Sequence, residues 1–416
     1  MDLVIHKQKN NYGGVINISG AKNSAVALLP ACLLTDKLCV INNVPDITDI
    51  RIIIEILKEM GHFVMYNRNT IIIKRNNESS TIFSDKVSLL RGSYYFLGSY
   101  MNYFKKIALK SCGGCDLGNR PINYHIDAFE ALGAKFHYDD NYLICDSTNL
   151  HSADITFPFP SVGATINVLL ASTLIKGNTI LRNCAIEPEV IDIVSFLNSM
   201  GAKISLIDNN TFVINGVTEL HGTEFTVMSD RIEAGTYLAL GALPNVSKVI
   251  IKNASSDGLK NYLDVLEKIG LSINYGNNTI SISKGNFLNP IQIKTGPYPC
   301  FPSDLAPIIT TILSLSNGIS VVEETIFDNR FSHISELNKL GANISESNKK
   351  IQINHIDQYH GGICTAHDLR CSASLVLAGI ASGEECIIKN IDSFFRGYEK
   401  PLEKLQSLGI LCTLID

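Results

Sequence analysis

The sequence predicts an α/β protein of two domains, built from six βαβαββ units. Three observations predict this fold class: the length and hydrophobic content, a helix ending that recurs along the chain, and a hairpin that follows it. The chain has 416 residues, of which 45% are hydrophobic and 18% charged. That length suits two or three domains with large cores, and the composition excludes a disordered or collagen-like chain.

The recurring helix ending is an apolar stretch closed by glycine, as in Leu57-Lys58-Glu59-Met60-Gly61. Six glycines occupy this place, at spacings of 68 to 72 residues, and they are Gly61, Gly133, Gly201, Gly270, Gly341 and Gly409. A residue just beyond a helix end often needs a positive φ, which glycine tolerates. Self-similarity at this period indicates a repeated structural unit.

Each unit is predicted from what surrounds the glycine. Strand, polar turn and strand follow it, and the hairpins are expected at 62–66 with 70–74, 135–138 with 142–145, 203–207 with 211–214 and 272–275 with 279–283. A short strand precedes the helix, at 39–41, 179–181, 249–251, 320–322 and 386–388. A longer apolar helix lies before that strand, so the unit is βαβαββ.

The sixth unit has only one hairpin strand before Asp416. The first 18 residues contain an unassigned hairpin, Leu3–His6 with Val15–Ile18, and we expect it to complete that unit. The predicted domains are therefore 22–229, with units one to three, and 1–21 plus 230–416, with units four to six. A cleft between two such lobes is a common place for a ligand.

Composition also restricts the function. A net charge of −5 and a pI near 6.1 argue against a nucleic-acid-binding role, which needs a basic face. The chain has no Trp, and its apolar runs are shorter than the roughly 20 residues of a membrane-spanning helix. The first residues do not resemble a signal peptide. Eleven cysteines, mostly single in apolar segments such as Cys32, Cys39, Cys145 and Cys386, predict buried free thiols in a reducing cytoplasm.

Charged residues recur at equivalent places in the units. The first helices are expected to begin near Lys22, Arg91, Ser161, Asp230, Asp304 and Asp368. The loops before the second helices carry Arg120, Glu187, Arg330 and Arg396. A cation at a helix N-terminus opposes the local dipole, and a bound anion would account for it. The alternative is that these are ordinary surface cations.

A glycine-rich loop contains Cys112-Gly113-Gly114-Cys115, followed by Arg120 and Pro121. A redox pair should open a helix, which Pro121 disfavours, and a zinc site lacks a convincing second pair. Cys115 is either an exposed thiol, activated by the nearby Arg120, or an incidental surface cysteine.

Asp304 lies at a helix start after three prolines, at Pro297, Pro299 and Pro302. It is either a first-turn or capping carboxylate, or a general base near the cations. The same alternatives hold for Asp230 and Asp368. Ser161 is either a helix cap or a phosphate contact. The ten histidines form no ligand-spaced pair, and we expect neither a metal nor a cofactor.

The ordered motifs identify a family. They are Gly20-Ala21-Lys22-Asn23, Gly113-Gly114-Cys115, Arg120-Pro121, Pro160–Thr165, Glu187-Pro188-Glu189, Asp230–Thr236, Phe301–Asp304, Asn329-Arg330-Phe331, Asp368-Leu369-Arg370 and Arg396–Glu399. Over its full length the chain resembles the bacterial UDP-N-acetylglucosamine enolpyruvyl transferases of the EPSP synthase-like family. The resemblance implies two inside-out α/β barrel lobes.

The resemblance also implies an activity and its residues. Enolpyruvate would pass from phosphoenolpyruvate to the 3-hydroxyl of UDP-N-acetylglucosamine, with phosphate released, as the first committed step of peptidoglycan precursor synthesis. The implied catalytic residues are Cys115 as proton donor, Asp304 as base, Lys22 and Arg396. The implied phosphoenolpyruvate contacts are Lys22, Asn23, Arg120, Arg330, Arg370 and Arg396. The implied sugar-nucleotide contacts are Asn23, Arg91, Arg120, Pro121, Ile122, Asn123, Tyr124, Ser161, Val162, Gly163, Asp304 and Ile326.

Three rival functions stay open at this point. EPSP synthase has the same fold and donor but lacks the loop cysteine, so Gly113-Gly114-Cys115 argues against it. A silent UDP-sugar-binding paralogue is disfavoured because Lys22, Cys115, Asp304 and Arg396 are all present. An RNA-end-processing enzyme is disfavoured by the net charge. The resemblance further implies that the epoxide antibiotic fosfomycin alkylates Cys115. It leaves the oligomeric state open.

Overall fold

The computed structural model describes residues 1–7, 11–76, 84–110 and 122–415. Contacts divide these residues into two compact units. Lobe I comprises the described residues between 20 and 228, and lobe II comprises those between 1 and 19 and between 229 and 415. Each lobe has its own hydrophobic core.

Twelve α-helices lie within the described residues. They are α1 (Lys22–Ala31), α2 (Thr48–Glu59), α3 (Tyr95–Tyr100), α4 (Asn123–Ala131), α5 (Val162–Ser172), α6 (Pro188–Ser199), α7 (Arg231–Ala239), α8 (Lys260–Lys268), α9 (Ala306–Leu313), α10 (Ile334–Lys339), α11 (Leu369–Ser382) and α12 (Pro401–Ser407). Short 3₁₀ turns add Cys32–Leu34, Asp85–Leu89, Arg91–Tyr94, Leu240–Ala242, Asp257–Leu259, Ser303–Leu305 and Ile391–Arg396.

The strands of the described residues are short. They are β1 (Asp2–Ile5), β2 (Tyr12–Asn17), β3 (Cys39–Asn42), β4 (Phe63–Asn67), β5 (Thr70–Lys74), β6 (Lys106–Lys110), β7 (Lys135–Asp139), β8 (Tyr142–Asp146), β9 (Asp154–Thr156), β10 (Asn178–Arg182), β11 (Lys203–Leu206), β12 (Phe212–Asn215), β13 (Glu224–Thr226), β14 (Val246–Lys252), β15 (Ser272–Gly276), β16 (Thr279–Ser283), β17 (Gln292–Lys294), β18 (Ser320–Glu323), β19 (Asn343–Ser347), β20 (Lys350–Asn354), β21 (Gly362–Thr365), β22 (Cys386–Lys389) and β23 (Cys412–Ile415).

The six recurring glycines do end helices in the left-handed conformation. Their φ angles are +88° for Gly61, +93° for Gly133, +99° for Gly201, +104° for Gly270, +94° for Gly341 and +88° for Gly409. Each glycine lies two residues beyond the last residue of α2, α4, α6, α8, α10 or α12. An L side chain is strained at such φ values, so glycine is the residue that suits this helix ending.

The described strands form small sheets, five of four strands and one of three. Lobe I has the orders β13-β3-β5-β4, β11-β12-β10-β9 and β6-β8-β7, and lobe II has β15-β16-β14-β2, β17-β18-β20-β19 and β21-β22-β1-β23. In each four-stranded sheet one edge strand is parallel to its neighbour, and the other pairings are antiparallel. The hairpins follow the recurring glycines, as the sequence predicts.

The predicted N-terminal hairpin is wrong, because β1 and β2 belong to different sheets. Strand β1 lies between β22 and β23 and is antiparallel to both, with Leu3 opposite Ile388 and Leu414. Strand β2 is parallel to β14, with Ile16 opposite Ile251. A hairpin would leave β22 and β23 without the strand that joins them. It would also leave β14 without a parallel edge partner.

Apolar helices fill the centre of each lobe. In lobe I, α1 and α5 are buried along most of their length, and α3 packs against α5. In lobe II all 14 residues of α11 are buried, and this helix packs against α9. No described helix has both the length and the apolar character to cross a membrane.

Helices α3 and α5 approach closely at Gly98. A Cβ added there would collide with the main-chain oxygen of Asn167. We predict that Gly98→Ala destabilises the protein by about 1–3 kcal/mol, because overpacking outweighs the better helix propensity of alanine. Urea unfolding measures the change.

The matched control for this substitution is Ser99→Ala in the same helix. It removes only one hydrogen bond, from Ser99 Oγ to the Tyr95 carbonyl at 3.2 Å, and should cost about 1 kcal/mol or less. A Gly98→Ala variant as stable as the wild type would contradict the close approach.

Candidate active site

Asp304 is the centre of the charged cluster in lobe II. It belongs to the 3₁₀ turn Ser303–Leu305, which leads into α9. Arg330 Nη2 donates to Asp304 Oδ1 at 2.9 Å, and Arg370 Nη2 donates to Asp304 Oδ2 at 2.9 Å. The side chains of Arg330 and Arg370 are 3% and 10% exposed, and that of Asp304 is 28% exposed. One carboxylate therefore bridges two buried guanidinium groups and keeps some access to solvent.

These contacts decide the charge of Asp304. Burial alone would raise its pKa, but the cations of Arg370 and Arg330 outweigh burial and hold the pKa well below its usual range. Burial alone would lower the pKa of Arg370, and the Asp304 carboxylate raises it instead. The arrangement is therefore two cations and one anion.

A hydroxyl supports Arg370 on the side away from Asp304. Arg370 Nη1 donates to the Tyr398 hydroxyl at 3.3 Å, and that hydroxyl forms a 2.8 Å hydrogen bond with Thr236 Oγ1. Burial raises the pKa of Tyr398, so the phenol stays neutral. Arg370 is thereby held in one orientation by groups that do not compete for its charge.

The other two acidic helix starts have a structural role. Asp230 Oδ1 accepts from the main-chain N–H groups of Ile232 and Glu233 at 2.8 and 2.9 Å. Asp368 Oδ1 accepts from those of Arg370 and Cys371 at 2.7 and 3.0 Å. Both are N-caps. Asp304 makes ion pairs with two buried guanidinium groups.

Lobe I holds Lys22 in a comparable ion pair. Lys22 is the first residue of α1, and its Nζ lies 2.7 Å from Oδ2 of Asp49, a buried residue of α2. Burying the carboxylate makes this contact stronger than a surface ion pair. The adjacent Asn23 is exposed.

A buried histidine joins the segments of lobe I in which sugar-nucleotide contacts are expected. His125 of α4 packs against Gly163 of α5, where an added Cβ would lie 3.1 Å from Nε2. Asn167 Nδ2 lies 3.1 Å from His125 Nδ1 and also donates to the Tyr94 carbonyl at 2.8 Å. His125 is thus a structural residue that fixes Tyr94, α4 and α5 to one another.

The remaining predicted site residues lie at helix starts, turns and loops within each lobe. Ser161 caps α5 by accepting from Ala164 N–H at 3.3 Å, and Val162 and Gly163 follow in the first turn. Arg91 opens the turn Arg91–Tyr94, and its Cζ is 5.9 Å from the Tyr94 ring centroid. Ile122, Asn123 and Tyr124 form the start of α4. In lobe II, Arg396 ends the turn Ile391–Arg396, and Ile326 lies in the loop after β18.

Three predicted residues, Cys115, Arg120 and Pro121, lie outside the described residues. Within the described ranges no group of three His, Cys, Asp or Glu side chains could hold a metal ion. Cys32, Cys39, Cys145 and Cys386 are buried free thiols, which confirms that prediction, whereas Cys300 is exposed.

Four residues of the charged clusters were missed by sequence reasoning: Asp49, Ser303, Glu324 and Tyr398. Ser303 and Tyr398 stand inside recognised motifs, beside Asp304 and two residues after Arg396. Asp49 and Glu324 carry no motif. Asp49 stands between Thr48 and Ile50, and Glu324 stands between Glu323 and Thr325, so no local pattern marks either carboxylate.

The model of the family described as EPSP synthase (3-phosphoshikimate 1-carboxyvinyltransferase) matches residues 6–405. This match covers most of the chain, and it defines the class of protein as the enolpyruvyl transferases. Among curated relatives, UDP-N-acetylglucosamine 1-carboxyvinyltransferase of Streptococcus pneumoniae serotype 2 (strain D39) is 40% identical over 407 residues, covering 97% of each chain. The chain belongs to the family of UDP-N-acetylglucosamine 1-carboxyvinyltransferases and is a transferase.

Another relative agrees with this assignment, and two solved structures share the fold. UDP-N-acetylglucosamine 1-carboxyvinyltransferase 2 of Listeria monocytogenes serotype 4b (strain F2365) is 37% identical, covering 98% of this chain and 96% of its own. The enolpyruvyl transferase NikO from Streptomyces tendae superposes with a TM-score of 0.91 at 23% identity, covering 99% and 98% of the two chains. EPSP synthase from Acinetobacter baumannii gives 0.79 at 14% identity and covers all of both chains. The structural likeness establishes the mixed α/β fold of EPSP synthase-like enolpyruvyl transferases.

The burial of His125 predicts that the stability of the protein depends on pH. Burial, and secondarily the Arg91 cation, lowers its pKa to about 3, against about 6.5 in an unfolded chain. The unfolded state therefore binds the extra proton first, and this residue costs stability as the pH falls from about 6.5 toward 3. The stability advantage of the wild type over His125→Asn should shrink by about 2 kcal/mol between pH 7 and pH 5.

Urea unfolding of both proteins at the two pH values measures this change. His137, which is exposed in β7, supplies the control His137→Asn, for which no such trend is expected. An advantage that is constant with pH would mean that His125 takes up a proton as readily in the folded protein as in the unfolded chain.

Proposed function

We propose that the protein transfers enolpyruvate from phosphoenolpyruvate to the 3-hydroxyl of UDP-N-acetylglucosamine by addition and elimination. The 3-hydroxyl oxygen of the sugar attacks C2 of phosphoenolpyruvate, which carries the phosphate group, while the methylene carbon gains a proton. Phosphate and that proton then leave, which restores the double bond in the product. Membership of the family supports this acceptor over shikimate 3-phosphate.

The carboxylate of Asp304 between Arg330 and Arg370 is the observation that carries the proposal. Asp304 is the base for the sugar hydroxyl, and the two guanidinium groups receive the carboxylate of phosphoenolpyruvate. In their present contacts these cations hold the pKa of Asp304 low, which makes it a weak base. A donor carboxylate that takes over part of their charge would raise that pKa and activate the base.

The other roles follow the family pattern. Lys22, Asn23, Arg120 and Arg396 hold the phosphate side of phosphoenolpyruvate, with Arg330 and Arg370 at its carboxylate. Cys115 donates the proton to the methylene carbon, and it is the proposed target of fosfomycin. The sugar nucleotide contacts Asn23, Arg91, Arg120, Pro121, Ile122, Asn123, Tyr124, Ser161, Val162, Gly163, Asp304 and Ile326.

We further propose that the catalytic domains are 22–229 and 1–21 plus 230–416, each an inside-out α/β barrel of three βαβαββ units. The division of contacts between residues 19 and 20 and between 228 and 229 supports these bounds. The similar strand orders of the small sheets support the repeats. Buried free thiols suit a cytoplasmic location.

The test is phosphate release from phosphoenolpyruvate by the purified protein, with UDP-N-acetylglucosamine or shikimate 3-phosphate as acceptor. Release with the UDP-sugar is expected. Release with shikimate 3-phosphate alone would identify an EPSP synthase. Binding of UDP-N-acetylglucosamine without release would identify a silent paralogue.

We predict that Asp304→Ala lowers kcat by at least about 10²-fold, because the reaction loses its base. Calorimetric affinity for UDP-N-acetylglucosamine should stay nearly that of the wild type. The control is Asp328→Ala, since Asp328 is exposed and pairs with Lys349 on the surface. If the variant loses sugar-nucleotide affinity in proportion to activity, Asp304 is a binding residue and its proposed role is wrong.

A further inference from the structure

A buried carboxylate that has no role in the proposed reaction lies behind Arg330. Glu324 follows β18 and is 2% exposed. Its Oε1 accepts from the main-chain N–H groups of Ile326 and Phe327 at 2.8 and 3.0 Å, and its Oε2 accepts from Ser303 Oγ at 2.8 Å. The interior accommodates this carboxylate because both oxygens receive hydrogen bonds.

Ser303 connects this carboxylate to Arg330. The Arg330 Nε donates to Ser303 Oγ at 3.0 Å. A serine hydroxyl has one proton and two lone pairs. The Glu324 carboxylate can only accept hydrogen bonds, so the Ser303 O–H donates to it. The lone pairs of Ser303 Oγ are then left to accept from Arg330. The orientation of the Ser303 hydroxyl therefore depends on Glu324.

A second route from Glu324 to Arg330 runs through the loop. The two N–H groups that Glu324 holds belong to Ile326 and Phe327, and the Phe327 ring centroid lies 4.5 Å from Arg330 Cζ. An arginine over an aromatic face gains a cation–π attraction and loses freedom to turn. Glu324 thus acts on Arg330 indirectly, through the Ser303 hydroxyl that accepts from its Nε and through the Phe327 ring beside its guanidinium.

We propose that Glu324 is a positioning residue for the phosphoenolpyruvate site. Through Ser303 it orients Arg330 for the carboxylate of phosphoenolpyruvate, and through its hold on Ile326 it fixes the loop assigned to the sugar nucleotide. The inference rests on the proposed function and adds to it a residue that touches neither substrate.

The test is steady-state kinetics of Glu324→Gln. The amide oxygen can still accept from Ile326 and Phe327, so the loop is kept. The amide NH₂ faces Ser303 Oγ as a donor, so the hydroxyl loses its acceptor and its orientation. The KM for phosphoenolpyruvate should rise about tenfold, the effect of losing a charge-assisted hydrogen bond. The KM for UDP-N-acetylglucosamine should change by less than about threefold.

The neighbouring Glu323→Gln is the matched control. Glu323 pairs with Lys294 and Lys350 at 3.0 and 3.1 Å at the surface, and its neutralisation should leave both KM values within about twofold. Thermal unfolding of both variants distinguishes a change in the orientation of Arg330 from a general loss of structure. Equal rises in both KM values together with a lowered Tm would show a purely structural role and overturn the proposal.

A double-mutant cycle tests the route through Ser303. If Glu324 acts on Arg330 through this hydroxyl, Glu324→Gln combined with Ser303→Ala should have the same KM for phosphoenolpyruvate as Ser303→Ala alone. Additive effects would overturn that route. An active wild type with an unaffected Glu324→Gln variant refutes the positioning role alone. A wild type that releases no phosphate refutes the proposed function, and this inference falls with it.

Discussion

The charge balance around Asp304 is the constraint on which lobe II depends. Two guanidinium groups lie almost buried within hydrogen-bond distance of one carboxylate. Without that carboxylate their mutual repulsion and lost hydration would be costly. With it, each guanidinium group has an anionic partner within hydrogen-bond distance. The cluster therefore keeps both cations paired while Asp304 stays partly open to solvent.

In lobe I, Lys22 is likewise paired with a single buried carboxylate, that of Asp49. In both lobes a cation assigned to an anionic substrate already has a carboxylate partner within its own lobe. In the proposed reaction, substrate binding would exchange one anionic contact for another or share the cation. The existing carboxylate partners limit the cost of burying arginine and lysine.

Sequence reasoning predicted the local features of the fold well. Gly133 ends a helix and Ser161 begins one, as expected. Helix ends can be predicted because nearby residues determine them. It mistook β2 for half of a hairpin, because the parallel partner β14 lies more than 200 residues along the chain. It selected Asp304 as a candidate from its motif but did not point to Asp49 or Glu324. Their significance comes from contacts with Lys22 and Ser303, which no local pattern records.

The pairing of β1 and β2 with strands far along the chain affects the order in which the lobes can fold during synthesis. Strand β2 precedes α1 of lobe I but pairs with β14 of lobe II, whereas β13 precedes α7 of lobe II but pairs with β3 of lobe I. Lobe I is complete once residue 228 has been synthesised. Strand β1, in contrast, waits for β22 and β23 near the end of the chain, a delay on the order of tens of seconds at usual rates of translation. Until then β1 has no partner in its final sheet, and that sheet can close only after β22 and β23 have been synthesised.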